Sequence, residues 1–153
     1  MFNLKKYKGT FKGLIGEYMF KLTDDKLIIT KSYNRSKFFR TFSRLNSKQR
    51  NFLYENWFSI DGIKFENGKI VLYEIKTRNK YNNKLHFKPK TTRRTHEMYQ
   101  EAKQLGFVVK LVTVWLCKNW DFEVEMQDFS EKYYYVDKEK KYDMGYKKHY
   151  AGY

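Results

Sequence analysis

The feature that most constrains the fold is the dipeptide Asn67-Gly68, which has a strand-like run on each side. Asn-Gly is the strongest short hairpin signal, because both residues adopt the positive φ angles of a two-residue type I′ turn. The segment 57–77, WFSIDGIKFENGKIVLYEIKT, is therefore predicted to be a β-hairpin. A two-residue turn pairs Glu66 with Lys69, and this pairing determines the register of the whole hairpin.

The predicted register places charged side chains opposite one another. Asp61 falls opposite Glu74, and Ser59 falls opposite Lys76. These four share one face of the hairpin, because side chains alternate between faces with a period of two. Like charges at directly opposite positions destabilise a sheet, so the two carboxylates need compensation. A bridging divalent cation would supply it, since Mg²⁺ takes oxygen ligands and commonly uses one or two protein carboxylates.

Lys76 lies one step along the same face from Glu74. An ammonium group there can orient or activate a water, or stabilise the charge that develops on an attacked phosphate. Together with a metal that polarises a phosphoryl oxygen, these side chains suit phosphodiester hydrolysis. Two alternatives stay open. Asp61-Gly62 can instead be a loop dipeptide outside the ladder, and Lys76 can be half of an ordinary surface ion pair.

Positive charge is concentrated in two segments of the chain. The net charge is +15, and no Asp or Glu occurs from 26 to 54 or from 75 to 96. Long acid-free basic stretches indicate a polyanionic partner, and neither stretch shows the amphipathic helix of a membrane-surface segment. We therefore expect these side chains to contact nucleic-acid phosphates: Arg35, Lys37, Arg40, Arg44, Arg78, Lys80, Lys84, Lys88, Lys90, Arg93 and Arg94.

Length and composition favour one globular domain. The chain has 153 residues, of which 41% are hydrophobic, and a single cysteine, Cys117, which excludes an intramolecular disulfide. The start lacks an apolar signal core and no apolar run is long enough to cross a bilayer, so we expect an intracellular protein that is not secreted. Residues 1–130 are predicted to form the domain, and 131–153, with seven tyrosines among many lysines, a C-terminal extension.

Apolar periodicity predicts the elements around the hairpin. Helices are expected over 3–22, 48–57 and 91–106, and strands over 26–30, 107–117 and 121–127. Residues 37–45 fit either a strand or a loop, and Ser47 fits a helix N-cap. The predicted fold is thus an α/β (α+β) domain with a central mixed β-sheet flanked by helices.

The segment SIDG…ENGKIVLYEIKTRN resembles the PD-(D/E)XK nuclease superfamily, whose motif is an acid on one strand followed by acid-x-Lys on the next. Ile60 stands where the family name implies proline. The predicted element order is similar to the family's αβββαβ core. This resemblance implies a Mg²⁺- or Mn²⁺-dependent endodeoxyribonuclease in which Asp61, Glu74 and Lys76 are catalytic and the two acids bind the metal.

Two other parts of the chain resemble less specific features of that family. Glu17, in GLIGEY on the leading helix, matches a metal-side glutamate, and Gln100, with His96 one turn earlier, matches a polar residue that faces the site. The implied partner is DNA, with RNA left open and a homodimer as one assembly. Chain size and basic, aromatic character also resemble small nucleases of filamentous archaeal viruses.

Other functional interpretations compete with the nuclease. The main rival is a nucleic-acid-binding protein without catalysis, such as a viral or accessory regulator on a degenerate nuclease fold. A third interpretation, a peripheral membrane or structural protein, rests on the charge and the 131–153 extension. Convergence of Asp61, Glu74 and Lys76 is the feature that favours the enzyme.

Overall fold

The computed structural model describes residues 4–80 and 90–130, which form an α+β domain around a mixed β-sheet. The fold class predicted from the sequence is confirmed, whereas the 131–153 extension lies outside the described residues. The helices are α1 (Leu4–Thr23), α2 (Arg35–Thr41), α3 (Ser47–Asn56) and α4 (Arg93–Gln104), and the strands are β1 (Ile28–Ile29), β2 (Gly62–Glu66), β3 (Lys69–Asn79), β4 (Val108–Leu116) and β5 (Phe122–Asp128). Three 3₁₀ turns cover Thr30–Ser32, Trp57–Ser59 and Lys118–Trp120.

The strands lie in the order β1-β2-β3-β4-β5. All neighbours are antiparallel except β3 and β4, which run parallel from the Val71–Val108 pair to the Asn79–Leu116 pair. A parallel pair needs a crossover connection, and α4 lies on this one. The predicted element order is present, with α2 and α3 inserted between β1 and β2. β3 is the central strand, and its residues contribute to a hydrophobic core on each face of the sheet.

The hairpin has the predicted turn and register. Asn67 and Gly68 have φ angles of 53° and 76°, as a type I′ turn requires. The ladder runs from the Glu66–Lys69 pair to the Gly62–Tyr73 pair. The register predicted from the turn is therefore confirmed over all of β2.

The first half of the hairpin is shorter than predicted. Ser59 lies in a 3₁₀ turn, so its predicted position opposite Lys76 is wrong. The turn forms because the fully buried Trp57 donates its indole N–H to the carbonyl of Thr30 at 3.0 Å, while the Thr30 hydroxyl donates to the carbonyl of Ile60. Tertiary packing of one tryptophan thus overrides the strand propensity of this stretch.

Apolar side chains fill both faces of the sheet. Successive residues of β3 alternate between the two faces: Leu72 joins the core under α2, α3 and α4, and Tyr73 joins the core under α1. The alternation puts Glu74 on the same face as Leu72. The largest fully buried side chains are Trp57, Trp115, Tyr99 and Phe38.

α1 approaches the sheet through a small residue and not through its longest apolar stripe. Leu14, Tyr18 and Leu22 belong to the three- and four-residue repeat that predicts the helix, yet they are 51%, 64% and 62% exposed. The buried side carries Gly16 and Phe20. No helix in the described part of the chain combines the length and apolar character that a membrane span requires.

Two local predictions between β1 and β2 need correction. Part of the 37–45 stretch is helical in α2, because Asn34 caps the helix and Phe38 and Phe39 are buried against the core. The N-cap of α3 is Asn46 and not Ser47, since Asn46 and Gln49 form a reciprocal capping box.

The helix over 93–104 begins and ends where the sequence indicates. Thr92, a residue type that favours helix N-caps, accepts a hydrogen bond from the Thr95 N–H at 3.3 Å. Gly106 follows the helix with a φ of 95°, a conformation that favours glycine. The capping and termination signals are thus confirmed.

Replacing Gly16 with alanine should destabilise the protein by about 1–3 kcal/mol. A Cβ atom at Gly16 would lie 1.8 Å from Oγ1 of Thr77, so α1 would have to move away from β3. Urea unfolding of Gly16→Ala and wild type measures the difference. Gly13→Ala is the matched control, because nothing lies within 4 Å of that position and alanine favours helix by about 1 kcal/mol over glycine. Equal stability of Gly16→Ala and wild type would contradict this packing.

Candidate active site

The carboxyl groups of Asp61 and Glu74 lie close together beside the first residue of β2, where β3 continues past the end of the β2–β3 ladder. Asp61 is the residue before β2, and its backbone N–H donates to the carbonyl of Tyr73 at 3.2 Å. Its Oδ2 accepts a hydrogen bond from the N–H of Ile75 at 2.8 Å, a donor that has no β2 partner here. The Asp61 carboxyl group is thereby held against β3, close enough to the Glu74 carboxyl group to raise its pKa. Asp61 lies just outside the ladder, yet the two carboxyl groups predicted to be neighbours are brought together.

Glu74 is a buried acid inside an apolar sheet. Only 7% of the residue is exposed. Burial raises the pKa of Glu74 well above its ordinary value, and the hydrogen bond and negative charge of Asp61 raise it further. The charges of Lys76 and Lys31 oppose this rise. Two carboxyl groups this close cannot both ionise easily, so they favour a shared proton or a nearby cation.

Lys76 follows Glu74 by two residues on the same face of β3. Its side chain is half-buried, and its positive charge favours the ionised form of Glu74. In the parallel ladder it lies opposite Thr113 of β4. The acid-x-Lys element of the sequence is therefore placed beside the paired carboxyl groups.

Lys31 is a second cation at the site, and the sequence identified it only as one member of a basic segment. Its Nζ lies 3.5 Å from Oδ1 of Asp61 and 3.3 Å from Oε2 of Glu17. The placement follows from the end of β1, where the N–H of Thr30 donates to the carbonyl of Asp61 at 3.2 Å. No local signal marks this role, because Lys31 and Asp61 are thirty residues apart in the chain.

Glu17 reaches the same region from α1. It is 5% exposed, and burial together with the charge of Asp61 raises its pKa, while Lys31 lowers it. Its Oε2 pairs with Lys31, whereas its buried Oε1 has no hydrogen-bond partner among the described residues. A buried carboxylate oxygen without a donor is costly, which indicates that this oxygen is suited to a ligand or a water.

Tyr99 on α4 lies close enough to the carboxyl groups of Glu74 and Asp61 to interact with them electrostatically. Tyr99 is fully buried and donates its hydroxyl to the carbonyl of Tyr73 at 3.5 Å. Burial raises the pKa of Tyr99 well above its ordinary value, and the charges of Glu74 and Asp61 add to the rise. The phenol thus stays neutral behind the carboxyl groups. Periodicity alone did not distinguish this tyrosine from other core residues.

His96 and Gln100, the two accessory residues expected on this helix, lie one turn apart on α4. His96 is buried, and its ring packs against Phe129 with the centroids 5.1 Å apart. Gln100 is half-buried in the next turn. Their proposed roles stay predictions.

The oxygen donors of Asp61 and Glu74 fit a magnesium or manganese ion. Within the described residues, no set of three or more His, Cys, Asp or Glu side chains is arranged to hold one ion. Two carboxylates nevertheless suffice for Mg²⁺, because waters and substrate phosphate commonly complete its coordination. Burial is the main cause of the raised pKa of Glu74, and a bound cation would favour its charged form. A ligand role for Glu17 stays a prediction, because one of its oxygens already pairs with Lys31.

Most of the predicted phosphate-contacting side chains are available at the surface. Those that are exposed are Lys37, Arg40, Arg44, Lys90, Arg93 and Arg94, and those that are half-buried are Arg35, Arg78 and Lys80. Two form surface ion pairs, Lys80 with Glu123 at 2.9 Å and Arg93 with Glu97 at 3.2 Å. Such exposed pairs are weak, so they leave these cations available to a polyanion. Lys84 and Lys88 lie outside the described residues.

Glu74→Gln should stabilise the metal-free protein, and increasingly so as the pH rises. Unfolded Glu74 loses its proton near pH 4.5, whereas the folded group keeps it to higher pH. Folded wild type therefore binds more protons in this window, and its stability falls by at most about 1.4 kcal/mol for each pH unit. Glutamine avoids this loss while keeping a donor for Asp61.

Urea unfolding in EDTA from pH 4 upward measures this gap for wild type and Glu74→Gln. Glu66→Gln, at an exposed acid of the same hairpin, is the control and should show no such trend. A gap between Glu74→Gln and wild type that does not change with pH would contradict the burial of an ionisable Glu74.

Comparison with known proteins adds no assignment. No protein-family model matches the sequence, and no curated protein is significantly similar to it. Functional inference for this chain therefore depends on the residues that the fold brings together.

Proposed function

We propose that this protein is a Mg²⁺- or Mn²⁺-dependent nuclease that hydrolyses phosphodiester bonds of DNA with little sequence specificity. The observation that carries the proposal is the meeting of Asp61 with the buried Glu74, beside Lys76, at the end of a hairpin. The resemblance of this segment to the PD-(D/E)XK motif supports it. An intracellular location and a DNA partner belong to the same proposal.

A divalent cation held by Asp61 and Glu74 would polarise a phosphoryl oxygen and lower the pKa of a bound water. The protein supplies the other parts. Asp61 is oriented by the N–H of Ile75, and Glu74 is held rigid within β3. Lys76, on the same face, can orient the attacking water or neutralise the phosphate as negative charge develops.

Lys31 contributes a second positive charge at the site, next to Asp61 and Glu17. Its side chain is 46% exposed, so its contacts with Glu17 and Asp61 can be exchanged for contacts with a phosphate. Release of Lys31 from Asp61 would also free a carboxylate oxygen for the metal. Lys31 therefore links phosphate binding to the exposure of a metal ligand.

The basic side chains around the site hold the substrate. Cations such as Lys37 and Arg40 on α2 and Arg94 on α4 are exposed. Contacts of this kind go to the phosphate backbone and carry no base identity, which accounts for low sequence specificity.

A second candidate function is nucleic-acid binding without catalysis. The observation that favours it is the pairing of Lys31 with both Glu17 and Asp61, since an ammonium group then partly satisfies the acids that a metal would use. On this alternative the same basic surface binds nucleic acid, and Mg²⁺ changes neither the stability nor the substrate.

Cleavage of plasmid and linear DNA with Mg²⁺ or Mn²⁺ tests the proposal. Glu74→Gln and Lys76→Ala should each lower the rate by at least about a hundredfold, because the first removes a carboxylate that would hold the metal and the second removes a cation that would act on the water or the phosphate. Glu66→Gln is the control and should cleave like wild type.

Thermal unfolding adds a readout that does not depend on activity. Mg²⁺ should raise the Tm of wild type more than that of Glu74→Gln, because it binds only the folded state. Cleavage that is equal in wild type and Glu74→Gln would contradict the assigned site. Binding without any cleavage or metal effect would support the non-catalytic candidate.

DNA affinity should fall steeply with salt. Neutralising phosphates releases counterions, so log K declines linearly with log salt, with a slope of about −0.9 for each phosphate contacted in duplex DNA. Fluorescence anisotropy in EDTA between low and high salt gives the slope, and Arg40→Ala should make it shallower by about one unit. A flat response would remove the nucleic-acid assignment.

A further inference from the structure

Two large aromatic side chains are exposed beside an arginine on the surface of α3 and the turn that follows it. Tyr54 is 49% exposed and Phe58 is 66% exposed. The guanidinium carbon of Arg35 lies 4.0 Å from the centroid of the Tyr54 ring and 5.2 Å from that of Phe58. Arg35 also donates to the carbonyl and to the hydroxyl of Tyr54, at 3.2 and 3.4 Å. We call these three residues the aromatic patch.

Core packing does not account for the aromatic patch. Trp57, between the two exposed rings in the sequence, is fully buried and anchors the segment. Tyr54 contacts the core ring of Phe39, with centroids 5.6 Å apart, whereas most of Phe58 remains in water. Exposed aromatic surface next to cations is typical of a binding site.

The aromatic patch is tied to the candidate active site. Phe58 precedes Asp61 by three residues, so their Cα atoms are at most about 11 Å apart. Thr30, the neighbour of Lys31, accepts the indole N–H of Trp57 and donates to Ile60. The turns that carry the patch and the site are thereby held as one unit.

The charge around the aromatic patch suits a nucleic-acid strand. Lys37 lies 5.6 Å from the centroid of the Tyr33 ring, and Arg40 is exposed on the same helix. Glu55 and Asp61 are the acids nearest in sequence, one on each side of Phe58. Rings interleaved with cations are the arrangement by which proteins bind single strands, stacking on bases and pairing with phosphates.

We infer that Arg35, Tyr54 and Phe58 form a stacking surface for unpaired bases, so that the preferred substrate is single-stranded or frayed DNA. Bases inside a duplex present only their edges, whereas unpaired bases expose the faces that an aromatic ring can cover. A strand stacked on Phe58 would bring a neighbouring phosphate toward Asp61. This substrate class rests on the proposed nuclease function, whereas the stacking itself does not.

Fluorescence anisotropy in EDTA tests the inference with labelled oligo(dT) of about 16 nucleotides, the upper range of single-strand site sizes, and a duplex of equal length. Phe58→Ala should weaken binding of oligo(dT) roughly tenfold, the loss expected for one stacked base, and change duplex binding little. Phe58→Trp should bind like wild type. Tyr18→Ala is the matched control, because Tyr18 on α1 is 64% exposed and distant in sequence from the patch.

The salt dependence separates stacking from charge. Phe58→Ala should keep the log–log salt slope of wild type, because no phosphate contact is lost. Unchanged oligo(dT) affinity, or an equal loss on oligo(dT) and duplex, would overturn the inference. So would a loss of binding to phosphatidylserine vesicles with DNA binding intact, which would indicate a membrane surface.

The outcomes for stacking and for catalysis can be told apart. Binding in EDTA requires no cleavage, so a selective loss in Phe58→Ala supports stacking even in a protein that does not cut DNA. Conversely, Glu74-dependent cleavage with unchanged oligo(dT) binding by Phe58→Ala keeps the nuclease and removes the stacking surface.

Discussion

Asp61 and Glu74 bring two carboxyl groups together inside a largely apolar sheet, and much of the surrounding structure compensates for this contact. Burial and mutual repulsion disfavour ionisation of Glu74. The N–H of Ile75 binds Asp61, and Lys31 and Lys76 supply positive charge from two directions. Each of these contributions favours the charged form only in part, so a proton or a cation is still required. Acids perturbed in this way are typical of functional sites, which supports the proposed one.

The position of Asp61 depends on two buried residues that precede it in the chain, Thr30 and Trp57. The fully buried Trp57 and Thr30 hold the 3₁₀ turn that precedes β2. Because of this turn, β2 begins only at Gly62, one residue after Asp61. Because the ladder does not extend beyond the Gly62–Tyr73 pair, the N–H of Ile75 is available to the Asp61 carboxylate. An unbroken ladder would have used that donor for backbone pairing and left Asp61 at an ordinary cross-strand position.

The same turn connects the chemistry to the surface. It carries Phe58 on its exposed side and Trp57 on its buried side, so one short segment serves the core, the aromatic patch and the approach to Asp61. Lys31 and Arg35 come from the equivalent connection after β1. Binding and catalysis would then be coupled by geometry, since a strand held on one turn passes the acids held by the next.

Features that depend on local backbone chemistry could be predicted from the sequence. Asn67-Gly68 specified the turn and therefore the register of β2 and β3, and caps and glycines placed the ends of α4. The neighbouring positions of Asp61 and Glu74, with Lys76 on the same face, followed from that register. These inferences hold because positive φ angles, side-chain alternation and capping act over a few residues.

Features that depend on packing between distant segments could not be predicted and are visible only in the fold. Lys31 joins the site from the turn after β1 and Tyr99 joins it from α4, which no local pattern could indicate. The buried Trp57 replaced a predicted strand by a turn. α1 presents Gly16 to the sheet and leaves Leu14, Tyr18 and Leu22 exposed, because close approach to Thr77 requires the absence of a Cβ atom. The acids Asp61 and Glu74 could thus be identified from the sequence, whereas Lys31 and Tyr99 are brought beside them only by the fold.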